Sequence, residues 1–229
     1  MQEYAVKHIA IIPDGNRRWA RARGKPGWFG HKVGAKTFED ILKKALELNV
    51  YCVSFWGMST DNFSKREAHE VKYLLSIFKG AIQKAIVNKE LIKNDVRISI
   101  LGEWRELFPK KIVTLFEKTI LETKNRKRHI LNLLLAYDGK SEMARALKNA
   151  CLAKKEVSSP KEFLFTRELP PVDLVIRTGG EPHLSAGFMM WDISDAHLYF
   201  SDKLWPDFTA TDFELAVAEF KKRERRFGR

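Results

Sequence analysis

Short apolar runs of strand length recur along this chain, and most are followed by a stretch whose apolar residues return every three or four positions. The runs cover 8–12, 51–56, 96–101, 130–136, 172–176 and 197–200, and helical spacing fills 33–49, 67–88, 109–124 and 141–155. A strand that must pair parallel to its neighbour needs a crossover, and a helix is the usual one. The alternation therefore predicts an α/β fold: one domain over 1–229 with a mainly parallel sheet covered on both faces. In the helix at 67–88, Val71, Leu74, Leu75, Phe78, Ala81, Ile82 and Ala85 mark the buried stripe. Thr211 and Glu214 read as a capping box opening a last helix that carries Phe213, Val217 and Phe220. Residues 156–171 break both periodicities and read as a surface connection.

Charge narrows the partners. Lys and Arg total 41 against 29 acidic residues, a formal +12 that favours anionic ligands. The basic residues are dispersed, and no helix-turn-helix, zinc or aromatic RNA signature accompanies them, which argues against a nucleic-acid module. No run of apolar residues is long enough to span a bilayer, and the opening residues lack a secretory pattern. The chain reads as cytoplasmic. Cys52 and Cys151 have no ligand-like spacing and read as free thiols.

The segment HIAIIPDGNRRWA, residues 8–20, carries the clearest chemistry. It sets Asp14, Gly15, Asn16, Arg17, Arg18 and Trp19 at the end of a strand and the start of a helix. Backbone N–H groups and arginines there suit a phosphate. A carboxylate beside a phosphate suits a bridging Mg²⁺, with the diphosphate supplying further oxygens. The same residues also read as an Asp-Gly turn leading into a solvated basic helix.

This string resembles the opening signature of the cis-prenyltransferase family, the undecaprenyl and dehydrodolichyl diphosphate synthases. Further blocks follow in family order: Gly30-His31-Lys32, Ser59-Thr60-Asp61-Asn62-Phe63, DLVIRTGGE at 173–181, Ser185, Trp191, LYFSDKLWPDF at 198–208 and RERRFG at 223–228. The resemblance implies a six-stranded sheet ringed by helices, an apolar tunnel and a homodimer. It implies Mg²⁺-dependent transfer of a prenyl group from an allylic diphosphate to isopentenyl diphosphate, with peripheral membrane association through lipid products.

By position, Asp14 matches the residue that assists diphosphate departure and holds Mg²⁺. Gly15, Asn16, Arg17, Arg18, Trp19 and Lys65 fall on the donor side, and His31, Ser59 and Asn62 near the reacting carbons. Arg177, His183 and Ser185 match the acceptor's diphosphate site. Trp56, Gly57, Met58, Leu74, Phe78 and Leu135 sit where the tunnel wall would run, and the closing arginines match a tail that in some members reaches the partner subunit.

Departures from the pattern fall at Gly27 and His183, where the family has arginines, and at His197, where it has a Mg²⁺-binding glutamate. Lys25 or Arg23 is expected to compensate for Gly27, and Asp192 or Asp195 to stand in for the glutamate. An acceptor site so altered points to an atypical acceptor: dimethylallyl diphosphate or an alcohol. The competing reading is a non-catalytic scaffold subunit of a heteromeric enzyme.

Overall fold

The computed structural model describes residues 6–153 and 156–222. The arginine-rich segment 223–228 lies outside the described residues. Six strands, β1 (Val6–Ile12), β2 (Val50–Met58), β3 (Val96–Leu101), β4 (His129–Leu135), β5 (Leu174–Arg177) and β6 (His197–Phe200), form one sheet in the order β3-β4-β2-β1-β5-β6. All neighbouring pairs are parallel. The sheet is thus wholly rather than mainly parallel. From β1 the chain moves to β2 on one side, and from β5 to β6 on the other, so the outgoing connections part at the β1/β5 seam. Open parallel sheets place ligands in the crevice at such a switch point, beyond the strands' carboxyl ends.

Period-two alternation divides each strand between two cores. Ile9 and Ile11 of β1 and Leu131, Leu133 and Leu135 of β4 face the helical side. That side is covered by α2 (Gly27–Glu47), α4 (Ala68–Val87), α7 (Lys110–Thr123) and α9 (Ala210–Lys222), following the short α1 (Asn16–Arg21) and α3 (Thr60–Lys65) and flanked by α5 (Lys89–Lys93) and α6 (Trp104–Leu107). Gly57, Met58, Leu74, Phe78 and Leu135 form a packed apolar band here, whereas Trp56, expected beside them, faces the opposite core with its ring 5.1 Å from Phe188, because side chains alternate along the strand and set it with Cys52. Met58, Leu74 and Leu135 are buried, and a Cβ on Gly57 would come within 2.6 Å of Leu135 and 3.1 Å of Phe78.

Ala10, Ile12, Cys52, Ile130 and Leu134 face the other way, and irregular chain covers them more than helix does. Leu164, Thr166 and Leu169 are buried, which corrects the reading of 156–171 as a surface connection. α8 (Gly139–Leu152) packs chiefly on a 3-10 turn at Pro160–Phe163. Polar anchors hold this layer. Lys161 pairs with Asp192, the Thr166 hydroxyl donates to Asp192 Oδ2 at 2.6 Å, and Phe165 N–H donates to Glu142 at 2.6 Å. Burial raises the Asp192 and Glu142 carboxyls above their usual range. Polar anchors of this kind have no periodicity for a sequence to display.

Two boundaries also moved. α2 begins earlier than the spacing at 33–49 suggested, because Gly30 and Gly34 interrupt the apolar pattern in its first turns. Both glycines are contact points rather than breakers. A Cβ at Gly30 would overlap the Asn16 carbonyl, and one at Gly34 would overlap the Asn16 side chain and crowd Trp205. The last helix is capped by Thr209, not Thr211: Asp212 N–H donates to Thr209 Oγ1 at 3.2 Å, and Thr209 N–H returns a 2.8 Å bond to Asp212 Oδ2.

Within β1, His8 is fully buried, its ring nitrogens bonded to the Pro170 carbonyl at 2.7 Å and Ser54 Oγ at 2.8 Å. Burial, opposed only in part by the Pro170 carbonyl and Asp173, lowers its pKa to about 4. The unfolded chain, with His8 at an ordinary value near 6.5, binds the extra proton in the window between these values. Stability therefore falls on acidification from about pH 6.5 to pH 4, by up to about 3 kcal/mol from this residue. Urea unfolding across that window should show a shallower pH slope in His8→Gln than in the wild type; equal slopes would exclude His8 as a source.

Candidate functional site

Asp14 follows β1 at the seam, and its main chain is fixed from both sides. Its carbonyl accepts from Thr178 Oγ1 at 2.8 Å and from Trp205 N–H at 2.9 Å. Gly15 follows with φ 108°, a conformation that L side chains rarely adopt, and a Cβ there would meet Leu204 at 2.7 Å. Gly179, at φ 100°, permits the closest approach: a Cβ would lie 2.6 Å from Arg18 Nη2 and 3.1 Å from Asp14 Cβ.

The carboxylate turns Oδ2 toward two guanidiniums. Arg177 Nη2 donates to it at 3.0 Å and Arg18 Nη2 lies at 3.3 Å. Arg177 is only 4% exposed, at the end of β5. Its Nη1 donates to the His183 carbonyl at 2.6 Å and to Ser185 Oγ at 2.9 Å, while its buried Nε has no acceptor. Arg177, Ser185 and Asp14 are therefore one connected group. His183 contributes its carbonyl, and its exposed imidazole lies near Glu181 and Ser185.

On the other side of α1 a cleft of about 390 Å³ opens between Arg17, Arg21, Pro26–Trp28 and the 62–70 segment. Arg17, Arg21, Asn62, Lys65 and Arg66 line it, with Glu70 at its wall. Arg66 Nη1 donates to Glu70 Oε1 at 2.9 Å and lies 3.1 Å from His31 Nε2. A guanidinium has no acceptor, so Nε2 must accept, which makes His31 neutral with its proton on Nδ1. Burial, then the Arg66 and Arg17 charges, lower the His31 pKa to about 3. Arg17 Nε stands 3.7 Å from Glu70. Side-chain contacts thus run from Ser185 and Arg177 through Asp14 to Arg18, and a second set joins Arg17, Glu70, Arg66 and His31 one residue away along α1.

Other expected residues serve this frame. Ser59 caps α3, accepting from Asn62 N–H at 3.0 Å, and Lys65 pairs with Asp61 at 2.6 Å. Asn16 turns inward, its Nδ2 donating to the Pro13 carbonyl at 3.1 Å and its buried Oδ1 without a partner. Trp19 Nε1 donates to Asp207 at 2.6 Å, and its ring stacks on Phe29.

The structure does not bring the expected substitutes together. Arg23 lies over Trp19 at 4.1 Å and pairs with Asp207, and Lys25 lies over Phe29. The Arg17 side chain, 3.3 Å from where a Gly27 Cβ would stand, occupies that space, and Arg66 supplies a second guanidinium to the cleft. Arg66 was missed by sequence reading; its only local signal is the four-residue spacing to Glu70. His197 begins β6, at the end of the strand remote from the seam, with its ring 5.2 Å from Phe220. Asp192 is committed to Lys161 and Thr166.

Removing the Arg66 charge should let the His31 pKa rise above about 3 in Arg66→Gln. Imidazole titration by NMR checks this, and a curve identical to the wild type would refute the contact.

The sequence profile of the prenyltransferase family described as undecaprenyl diphosphate synthase matches residues 12–228. The tritrans,polycis-undecaprenyl-diphosphate synthase (geranylgeranyl-diphosphate specific) of Pyrococcus horikoshii is 38% identical, over 97% of this chain and 87% of its own length. The ditrans,polycis-undecaprenyl-diphosphate synthase ((2E,6E)-farnesyl-diphosphate specific) of Buchnera aphidicola is also 38% identical, over 100% of this chain and 93% of its own. Among solved structures, lavandulyl diphosphate synthase from Lavandula x intermedia, in complex with dimethylallyl diphosphate, superposes with TM-score 0.89 at 27% identity, covering 100% of both chains.

Proposed function

Because the chain belongs to the undecaprenyl diphosphate synthase family of cis-prenyltransferases, we propose that it removes diphosphate from an allylic donor at Asp14 and joins the prenyl group to a second substrate held by Arg177. The observation that carries this division of labour is the position of Asp14 at the seam, beside a buried guanidinium on one side and close to a cationic cleft on the other. The cleft of Arg17, Arg21, Lys65 and Arg66 suits the donor's diphosphate. Arg177 and Ser185 suit an acceptor's diphosphate.

Departure of diphosphate gathers negative charge on oxygen while positive charge grows on the allyl carbon. Fixed guanidiniums lower that barrier because they need no reorganisation as charge develops. The prenyl chain would lie along the apolar band of Met58, Leu74, Phe78 and Leu135, away from water. Neutral His31 holds Arg66 at the cleft rather than serving as an acid.

We further propose Mg²⁺ as the cation. Among the described residues no group of three acidic, His or Cys side chains could hold a metal. A lone half-exposed carboxylate at Asp14 nevertheless fits an ion that keeps waters and substrate oxygens as its other ligands. Such an ion would neutralise charge on the departing diphosphate. Asp14 would be its protein ligand in this chain; His197 lies at the far end of β6.

The acceptor site has one guanidinium at its centre, and His183 offers it a carbonyl. This supports a weaker hold on isopentenyl diphosphate and leaves dimethylallyl diphosphate or an alcohol as the atypical alternative. Exposed Leu198 and Phe200 on the free edge of β6, with Met190 and Trp191 also exposed, support a homodimer. No helix among the described residues is long and apolar enough to cross a membrane. Separately, we propose that the protein works in the cytoplasm and meets membranes through its lipid product.

Purified protein with Mg²⁺, farnesyl or geranylgeranyl diphosphate and labelled acceptors tests the reading. Prenyl transfer is expected, with Asp14→Ala slower by about ten- to a hundredfold, the scale of one charged interaction lost at the barrier. Unchanged turnover in a folded Asp14→Ala protein would sink the role given to Asp14. Efficient multi-step elongation with isopentenyl diphosphate alone would sink the atypical acceptor.

A further inference from the structure

We propose that Arg177 is an internal stand-in for the divalent cation at Asp14, so that diphosphate binding at Arg177 and cation binding at Asp14 are thermodynamically coupled. The inference rests on the two-sided reading above and adds a role for the contact between its two principal residues.

The contact occupies one oxygen of the carboxylate that a cation would need and holds two guanidinium charges close to the other. Asp14 Oδ2 receives both Arg177 and Arg18, and among the described residues Oδ1 takes no hydrogen bond. Arg177 is the stronger competitor of the two because it is 4% exposed, whereas the Arg18 side chain is 47% exposed and screened by water. A divalent ion and a buried guanidinium repel strongly when both sit on one carboxylate. An ion arriving alone must therefore either sit on Oδ1 against the Arg177 charge or displace Arg177 from its one carboxylate partner among the described residues, leaving it with the neutral His183 carbonyl and Ser185 hydroxyl.

A diphosphate removes that obstacle. It brings negative charge and acceptor oxygens to a guanidinium whose buried Nε has no acceptor in the present arrangement. Once Arg177 turns its charge to phosphate, Asp14 is released to the cation. Each ligand therefore removes the cost that the other would meet, and the coupling must be reciprocal. The pair itself guards the site against a lone cation or a lone anion.

Binding of Mn²⁺ to the full chain without substrate, followed by electron paramagnetic resonance, tests one half. Arg177→Gln should bind Mn²⁺ about tenfold more tightly than the wild type, within the usual range of coupled sites. Arg18→Gln, which removes an exposed charge from the same oxygen, should gain less than about threefold. Adding Asp14→Asn to Arg177→Gln should abolish the tight site. Equal affinity in Arg177→Gln and the wild type, or equal gains in Arg177→Gln and Arg18→Gln, would overturn the proposal.

Calorimetric titration of inorganic diphosphate in the presence of a chelator tests the reciprocal half, and decides the matter if Arg177→Gln fails to fold. Asp14→Asn, which frees Arg177, should bind metal-free diphosphate about tenfold more tightly than the wild type. Unchanged or weaker binding would overturn the coupling. Neither titration measures prenyl transfer, so loss of the coupling would leave the transferase reading standing, and an inactive wild type would leave the coupling measurable.

Discussion

The 3.0 Å contact between Asp14 and Arg177 joins residues 163 positions apart and depends on β1 lying beside β5. Register sets it: Ile12 pairs with Arg177, so the loop after β1 emerges over the end of β5. Thr178 and Trp205 then hold the Asp14 carbonyl, and Gly15 and Gly179 remove the side chains that would block the approach. A displacement of β5 by one residue would turn Arg177 to the other face of the sheet, because successive side chains alternate.

The two faces of the sheet have different jobs. The helical face supplies the apolar band and, through α1, α3 and the starts of α2 and α4, the cationic cleft. The opposite face is covered by irregular chain tied down by buried charge and hydrogen bonds, with Asp192 and Glu142 as its anchors. That layer leads from β5 to β6 through the 183–185 loop that holds Arg177. Rigidity on this side therefore reaches the site through the chain itself. A helical covering would have left less loop at the seam to shape around a diphosphate.

At Gly27, where the resemblance implies an arginine, the cationic groups of the cleft come from other positions. A glycine at the start of α2 makes room for Arg17, and Arg66, neutralised in part by Glu70 and braced by neutral His31, faces the same cleft. Residues near 27 in sequence, Arg23 and Lys25, instead stack on Trp19 and Phe29. Proximity along the chain was a poor guide here because Arg23 and Lys25 lie in the turn after α1 and their side chains pack on these rings rather than line the cleft. His197 is similar: it stands where the resemblance implies a Mg²⁺-binding glutamate, yet it begins its strand at the end remote from Asp14.

By itself the sequence determined the alternation of strands and helices, and hence a parallel sheet, because crossover connections demand it. It also offered Asp14, Arg18, Arg177 and Ser185 as candidates through short local motifs, and the structure brings these four side chains into one connected group. Helix starts hidden by Gly30 and Gly34, the Thr209 cap, the buried layer at 160–172 and the Arg66–His31–Glu70 cluster were decided only by tertiary structure. Each depends on atoms brought close from distant positions, and neither periodicity nor spacing carries that distance.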